Sequence, residues 1–347
     1  MEKSKVYFTK NITPEAMIQM YEALGLRLPG KVAVKVHSGE MGNQNFIRPE
    51  FMQPIIHHVK GTVVECNTAY EGKRNTTKEH WETMASHGWT RFFQVDIMDE
   101  EGEMELPVSG GKQLSVNYVG DHFRNYDSVL VLSHFKGHPM GGFGGALKNI
   151  SIGIASSHGK AHIHGAGNPD KIWTADHDSF LESMADAAKS IMDYKKGNIA
   201  FLNVMCSMSV DCDCCAVAED PKMADIGILS SLDPVALDQA CLDLVYASQD
   251  PGKKDLLERI ESRNGVHTVE AAAELGVGRR RGARRPRRCA PPGSCGAGRG
   301  PGWGGGACAH LTLAHGRLGG AGGWGGGAGG GGGGGCGGGG GGGGAAR

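Results

Sequence analysis

Short apolar runs alternate with helical patterns along most of the chain, and this alternation limits the folds that it can adopt. Valine-rich runs occupy 31–37 and 62–66, and a third, largely apolar run occupies 128–132. Runs of this length, bounded by polar or glycine-rich loops, predict buried strands. Asp233-Pro234 is typical of a helix start, with a capping side chain followed by proline. We therefore predict an α/β fold with a largely parallel central sheet flanked by helices, as a single large domain or two fused lobes.

The composition changes abruptly at residue 277. Residues 277–347 hold 33 of the 58 glycines, 10 of the 36 basic residues and none of the 37 acidic residues. Such a segment buries too little apolar surface to offset chain entropy, so we predict a disordered tail. Its Gly, Ala, Arg and Pro residues are those of GC-rich codons. We interpret it as a frameshift product, with a native arginine–glycine tail as the alternative, and assign the folded domain to residues 1–276.

This domain is acidic once the tail is set aside. It carries 26 basic and 37 acidic residues, a formal net charge of −11. An acidic balance argues against nucleic acid or an anionic membrane as the main partner. No stretch reaches the ~18 apolar residues that a membrane-spanning helix needs, and we see no signal peptide at the N-terminus. We expect a cytoplasmic protein that binds a small anionic ligand.

The segment 131–164 concentrates chemically active side chains after one predicted strand. It contains five histidines and three lysines, and strand ends are where α/β proteins place ligand sites. His134 and His138 are candidates for acid–base catalysis or metal binding. Lys136 and Lys148 are candidates for binding an anion near the reacting group. The alternative is that these are polar loop residues.

Two further features belong to the same segment. The glycine-rich loop exposes backbone N–H groups that can hold an anion, so we predict that Gly142, Gly144 and Gly145 contribute to cofactor binding. Neither a Walker A motif nor a Rossmann fingerprint is present, and tight turns alone would also explain these glycines. At its end, His162 and His164 would share a face if the chain is extended there.

Four cysteines crowd into ten residues after another predicted strand. Cys206, Cys212, Cys214 and Cys215 follow the spacing C-x5-C-x-C-C. Thiolates suit zinc and iron–sulfur sites, so we predict either an iron–sulfur cluster or a divalent metal such as zinc. Cys212 and Cys214 are the expected ligands, and Cys206 or Cys215 are optional ones. Free thiols in a loop are the alternative. A cluster like this suits metal binding better than disulfides and indicates a reducing compartment.

Polar loops follow the second and third predicted strands. Loops after successive parallel strands converge on one edge of a sheet. We therefore predict that Arg48 and Asn67 help to bind a cofactor or substrate, with the guanidinium gripping a carboxylate or phosphate. Taken singly, each is more often a surface or capping residue.

Several longer strings together resemble a known family. They span most of the region from residue 4 to 276 and are V-K-V-H-S-G-E (34–40), I-R-P-E (47–50), C-N-T-A-Y (66–70), S-H-F-K-G-H (133–138), G-F-G-G-A-L-K-N (142–149), V-D-C-D-C (210–214) and D-I-G-I-L-S-S-L-D-P-V-A-L-D (225–238). The chain resembles the uncharacterised Fe–S center protein family, whose domain is labelled as of unknown function 362.

The resemblance implies little about activity. Many relatives carry a ferredoxin-like insert with C-x2-C-x2-C runs where 165–176 lies here, and this chain has no such insert. Only Cys212 and Cys214 carry over as ligands. Relatives also continue past the equivalent of Gly276 with an ordinary short terminus, which supports the frameshift interpretation.

The sequence thus predicts a metal-binding protein, as a redox or metal-assisted enzyme that acts on a small anionic substrate. A non-catalytic metal carrier or assembly protein is one alternative. A small-molecule binding domain without metal is another. A closed pocket with lysine and histidine side chains aimed at one point would favour the enzyme, and exposed, flexible thiols with readily exchanged metal would favour the carrier.

Overall fold

A computed structural model describes residues 4–280 and the backbone of residues 309–310. The predicted disordered tail lies outside the described residues, except for its first few residues and that two-residue strand. The strands of the domain are β1 (Val6–Thr9), β2 (Val32–Lys35), β3 (Thr62–Glu65), β4 (Val95–Ile97), β5 (Glu103–Pro107), β6 (Val116–Gly120), β7 (Ser128–His134), β8 (Lys136–His138), β9 (Gly142–Gly144), β10 (Ile199–Met205) and β11 (Gly227–Ser231).

Ten helices of four or more residues connect these strands within residues 4–280, together with two short 3-10 helices. They are α1 (Pro14–Glu22), α2 (Pro49–His58), α3 (Thr77–Ser86), α4 (Trp89–Phe92), α5 (Ala146–Ser151), α6 (Ser157–His164), α7 (His177–Lys195), α8 (Pro234–Ala247), α9 (Lys253–Ser262) and α10 (Val266–Glu274). The predicted cap of α8 is confirmed, since the Asp233 side chain accepts the N–H of Ala236.

The central sheet is mixed but mostly parallel, as predicted. Its order is β12-β1-β11-β10-β7-β2-β3-β4, where β12 is Ala309–His310. The five strands from β10 to β4 are parallel. Strands β11 and β1 join in antiparallel pairings and complete the seven strands that the domain contributes to this sheet. Two small antiparallel hairpins, β5–β6 and β8–β9, lie outside the main sheet.

Helices cover both faces of the sheet, and the central strand β7 shows why. All seven of its residues are buried. Val129 and Val131 face a core that includes residues of α5, α7, α8 and α10, whereas Leu130 and Leu132 face a core that includes residues of α1 and α2. A strand buried on both faces reads as a continuous apolar run, which is the pattern found at this position.

The chain runs from β2 to β3 and β4 on one side of the sheet, and then returns to β7 and β10 on the other. Strands β2 and β7 are therefore neighbours whose following loops diverge. In open α/β sheets such a switch point leaves a crevice at the carboxyl ends of the strands. Among the described residues, no helix is both long and apolar enough to cross a membrane.

Candidate metal centre and anion cavity

A cavity of about 50 Å³ lies at this switch point. Its walls include residues at the carboxyl ends of β2, β3 and β7, residues of α5 and α6, and Cys214 from the loop after β10. The polar side chains that line it are Lys35, His37, Glu65, Cys66, Thr68, Tyr70, Arg74, Ser133, His134, Lys136, Lys148, Asn149, Lys160 and Cys214.

Cys212 and Cys214 are here called the cysteine pair; Cys214 lines the cavity, and Cys212 lies next to it. Their sulfur atoms and one ring nitrogen of His37 all lie within 4.8 Å of one another. The backbone N–H of Cys214 donates to the Cys212 sulfur at 3.4 Å. Cys212 is buried and Cys214 is half-buried. Two thiols and an imidazole form a donor set that suits a soft or borderline metal ion.

The other two cysteines of the cluster are placed differently. Cys206 packs against the apolar core on the α1–α2 side of the sheet, and burial raises the pKa of its thiol to about 12. Cys215 is buried, and its backbone carbonyl accepts the Asn43 side-chain amide at 2.8 Å. Neither belongs to the group of ligand atoms around His37. None of the six cysteines in the described part of the chain forms a disulfide.

Both thiols of the cysteine pair hold their protons at neutral pH in the metal-free protein. Burial and the neighbouring Cys214 raise the pKa of Cys212 to about 11. The hydrogen bond with Cys212 lowers the pKa of Cys214, but the contact with Cys215 and burial outweigh it, so that this pKa is also raised. The Lys148 ammonium opposes both increases. A metal must therefore displace protons when it binds here.

Two histidines direct ring nitrogens towards these sulfur atoms. His37 Nε2 lies 3.8 Å from Cys212 Sγ, and His138 Nε2 lies 4.0 Å from Cys214 Sγ. The Nδ1 atom of His37 accepts the N–H of Gly39, and that of His138 accepts the N–H of Gly141 at 2.8 Å. Burial lowers the pKa of both rings, that of His138 to about 4. Each neutral ring therefore carries its proton on Nε2 and points an N–H at sulfur.

His134 holds the cysteine loop through both of its ring nitrogens. Its Nδ1 lies 3.0 Å from the Asp213 carboxylate, and its Nε2 lies 2.6 Å from the carbonyl oxygen of Cys206. Lys136 pairs with the same carboxylate at 2.8 Å. Although burial raises it, His134 and Lys136 hold the pKa of Asp213 well below its usual range. Because Asp213 lies between the two cysteines, this arrangement sets the position of their sulfur atoms.

A buried ion-pair network lines the opposite wall. The Lys35 ammonium lies 2.6 Å from Glu65, and Arg74 pairs with Glu40 at 3.2 Å. The sequence predictions did not include Lys35, His37 or Glu65 among the site residues. A signal was available, since strands β2 and β3 each carry a charged residue within a valine-rich run, which is costly unless the charge is paired.

Two lysines line the cavity without an ion-pair partner. Lys148, on α5, has neither a hydrogen bond through its ammonium group nor an ion pair with any residue in 4–280. Lys160, on α6, donates to the carbonyl oxygens of Ala155 at 2.6 Å and Cys66 at 3.4 Å. Burial lowers its pKa. Both ammonium groups are placed to meet an anion that enters the cavity.

The glycine-rich loop contributes less backbone to the cavity than its sequence indicated. Gly144 and Gly145 line the cavity, but Gly142 packs against Gly265 outside it, where a Cβ atom would lie 2.8 Å from the Gly265 Cα. The N–H groups of Ala146 and Leu147 donate to the Asp238 carboxylate at 2.8 and 2.9 Å. The first turn of α5 is thus already occupied by an internal anion.

Three polar residues singled out from the sequence do not line the cavity. Arg48 is exposed, stacks on Phe46 and donates to a backbone carbonyl. Asn67 is buried beside the cavity wall, where it donates to Thr77 and contacts His80. His164 lies on α6 with its ring against Phe180.

The extended segment considered for His162 and His164 is the helix α6, so the two rings do not share a face. The serine before it caps this helix by accepting the N–H of Gly159, and the proximity of Gly159 to the Tyr118 carbonyl leaves no room for a side chain. Tyr70, by contrast, comes from the polar loop after β3 and forms a side-chain hydrogen bond with Cys214.

The fold and the site together define an α/β protein with a cysteine-based candidate metal centre beside a cavity lined by cationic groups. The family described as "Domain of unknown function (DUF362)" matches residues 32–243, more than half of the chain. The chain belongs to this family, which confirms the resemblance. Its matched region contains the cysteine pair and the other cavity residues discussed above.

Comparison with other proteins gives two distant structural likenesses. The lactate racemase apoprotein from Thermoanaerobacterium thermosaccharolyticum has a TM-score of 0.36 and 16% identity, over 57% of this chain and 50% of that one. A protein from Thermotoga maritima has a TM-score of 0.39 and 12% identity, over 76% of this chain and 58% of that one. The chain thus spans less than two thirds of either protein. No curated protein matches the sequence.

Proposed function

We propose that the cysteine pair holds a metal and that the protein is a redox or metal-assisted enzyme acting on a small anion bound in the cavity. The observation that carries this proposal is the convergence of two thiols and His37 within 4.8 Å, where Cys214 lines a cavity that Lys148 also lines. Family membership and this Cys/His group fit a metal-associated role. The catalytic activity and the metal are the proposed part.

The donor set favours a single ion such as zinc over an iron–sulfur cluster. Clusters are commonly held by four cysteine thiolates, whereas the group around the cavity offers two sulfur atoms and one nitrogen. The thiolates are the firm ligands. Binding through His37 Nε2 would require the ring to give up the hydrogen bond that its Nδ1 accepts from Gly39. A metal held in this way would supply Lewis acidity or electrons beside the anion.

The chain's own groups would bind and orient the substrate. Lys148 is half-buried and has no competing carboxylate in contact within residues 4–280, so it is available to an anionic group. The His138 N–H is held towards Cys214 by two backbone amides. We assign it the task of donating to the metal-bound sulfur or to a charged group that develops nearby. Lys136 orients the cysteine loop through Asp213.

Burial of Cys212 and of the groups around it supports the enzyme over the metal carrier. Cys212 is 1% exposed, and His134, His138 and Lys136 are nearly as buried. A carrier that exchanges metal with partners benefits from accessible thiols, whereas a closed pocket excludes water from a reaction. The net charge of −11 for residues 1–276 supports a small molecule as the partner, and the lack of a disulfide in the described part of the chain supports a cytoplasmic location.

Metal analysis of anaerobically purified protein tests the proposal. We expect about one equivalent of zinc or iron per chain in the wild type, and its loss in the Cys212→Ser, Cys214→Ser double variant. Cys206→Ser is the matched control, because this thiol belongs to the same sequence cluster but not to the group of ligand atoms. Metal content that is absent in the wild type, or unchanged in the double variant, would refute the proposal.

A further inference from the structure

The positive charges that line the cavity fall into two classes. Three of them are neutralised by contact with a carboxylate: Lys35 by Glu65, Arg74 by Glu40, and Lys136 by Asp213. Each of these pairs is buried, so the carboxylate cannot be replaced by water without a large cost. These cations are structural and are not available to compensate the charge of a ligand.

Lys148 and Lys160 form the second class. Neither ammonium group lies within ion-pair distance of a carboxylate in the part of the chain that the structure describes. Asp99 is the carboxylate with the largest influence on Lys160, ahead of Glu65, but its two oxygens accept the N–H groups of Asn67 and Ser157. A buried ammonium without a counter-ion is costly, and the cost is recovered when a ligand supplies the missing charge.

The two ammonium groups come from different helices of the cavity wall, Lys148 from α5 and Lys160 from α6. The charge of Lys148 is felt at the cysteine pair and at His138, on the side of the loop after β10. Lys160 contacts the carbonyl of Cys66 and influences Lys35, on the side of β2 and β3. A ligand that satisfies both groups therefore needs negative charge at two places.

We infer that the ligand of this cavity is a small dianion with an anionic group at each end, such as a short dicarboxylate, bound between Lys148 and Lys160. The inference deepens the proposed function and rests on it for the identity of the site. The volume of about 50 Å³ limits the ligand to a few carbon atoms, since each water needs roughly 10–15 Å³ measured in this way.

A matched pair of probes tests the inference without knowledge of the natural substrate. Malonate and malonamate have nearly the same shape, but malonamate carries an amide in place of one carboxylate. We expect wild-type protein to bind malonate at least about tenfold more tightly, because a charge-assisted hydrogen bond to ammonium is stronger than one to a neutral amide. Sulfate against methanesulfonate is a second pair, which compares a compact dianion with a monoanion of similar shape. Calorimetric titration gives the affinities.

Variants that lack one lysine should weaken malonate and malonamate binding to different extents, a difference that a general loss of positive charge would not produce. Lys148→Gln and Lys160→Gln remove one charge each but keep an N–H donor. The affinity for malonate should fall about tenfold in either variant, since one of its carboxylates then lacks its ammonium partner. The affinity for malonamate should fall only about twofold. Its single carboxylate can still bind the other lysine, so only one of its two binding orientations is removed. Lys189→Gln is the control, because this half-buried lysine of α7 pairs with Asp193 and does not line the cavity.

Equal affinity for malonate and malonamate in the wild type would overturn the inference, and a preference for sulfate over methanesulfonate in that case would indicate a site for a compact dianion instead. A Lys148→Gln variant that weakens both malonate and malonamate to the same extent would also overturn it. Should Lys160→Gln fail to fold, the wild-type comparison and Lys148→Gln remain decisive. The outcome is separable from that of the metal proposal. A protein without metal that still prefers the dianions would retain the ligand inference and lose only the metal centre.

Discussion

The buried carboxylate of Glu65 should make the free energy of unfolding of this protein depend on pH. The substitution Glu65→Gln should reveal this dependence. Although burial raises it, the Lys35 ammonium and the Arg74 guanidinium lower the pKa of Glu65 to about 2. The ordinary value for glutamate is about 4.3, so the ionised form is favoured in the folded protein by about 3 kcal/mol. Glu65→Gln keeps the size of the side chain and removes this charge.

The direction of the pH dependence follows from the lowered pKa. A carboxyl group whose pKa falls on folding stabilises the protein above its unfolded pKa, and the contribution is lost as the pH falls towards its folded pKa. At pH 7 the variant should lose about 3 kcal/mol in the free energy of unfolding. At pH 3, between the two pKa values, the difference should shrink to roughly half of this, because much of the unfolded wild type is then protonated.

Urea denaturation of wild type and variant at pH 7 and pH 3, followed by circular dichroism, measures both differences. Glu79→Gln is the control, since Glu79 also pairs with a lysine but lies at the surface, where solvent screens the pair and its contribution to stability is small. A Glu65→Gln loss below about 1 kcal/mol at pH 7 would refute the reasoning. An equal loss at both pH values would do the same, because it would show that charge is not the cause.

Two other substitutions and one metal titration test the roles assigned to residues in and near the site. Asp213→Asn leaves Lys136 buried without its carboxylate and should cost about 3–5 kcal/mol in urea denaturation; a loss under about 1 kcal/mol would contradict this role. Gly142→Ala should destabilise the protein by at least about 2 kcal/mol more than Gly25→Ala, since both have positive φ but only Gly142 is in close contact with another backbone. Equal thermal shifts would count against it. Zinc binding to the cysteine pair should release about two protons at pH 7, measured by calorimetry in buffers of different ionisation enthalpy; release near zero would show that the thiols were already ionised.

The parallel sheet could be predicted from the sequence because its central strands are buried on both faces. β7 and β10 are fully buried over seven residues each, and such strands appear as apolar runs. The hairpin β8–β9 was harder to foresee. Lys136 and His138 lie in a three-residue strand whose partner is Gly142–Gly144, and neither half has an apolar pattern of its own.

The candidate site was likewise only partly predictable from the sequence. Because the cysteine and histidine segments both follow predicted strands and both carry potential metal ligands, the sequence predicted that they meet. In the structure, Cys214 Sγ lies 4.0 Å from His138 Nε2. The tautomers of His37 and His138 depend on backbone amides two and three residues further along, which only the folded turns reveal. Asp238 likewise lies 91 or more residues from the amides that it binds, and no local pattern links them.

Helix α5 carries a bound carboxylate throughout the life of the folded protein, since Asp238 accepts two of its first N–H groups and is itself held by the Asn203 side chain. The helix that bears Lys148 is therefore anchored to α8 and β10 before any ligand arrives. The backbone of α5 is already ordered in the folded protein. Binding an anion therefore requires only the Lys148 side chain to adopt one conformation. The cavity is preorganised on this side, and affinity is not reduced by the entropy of forming a helix around the ligand.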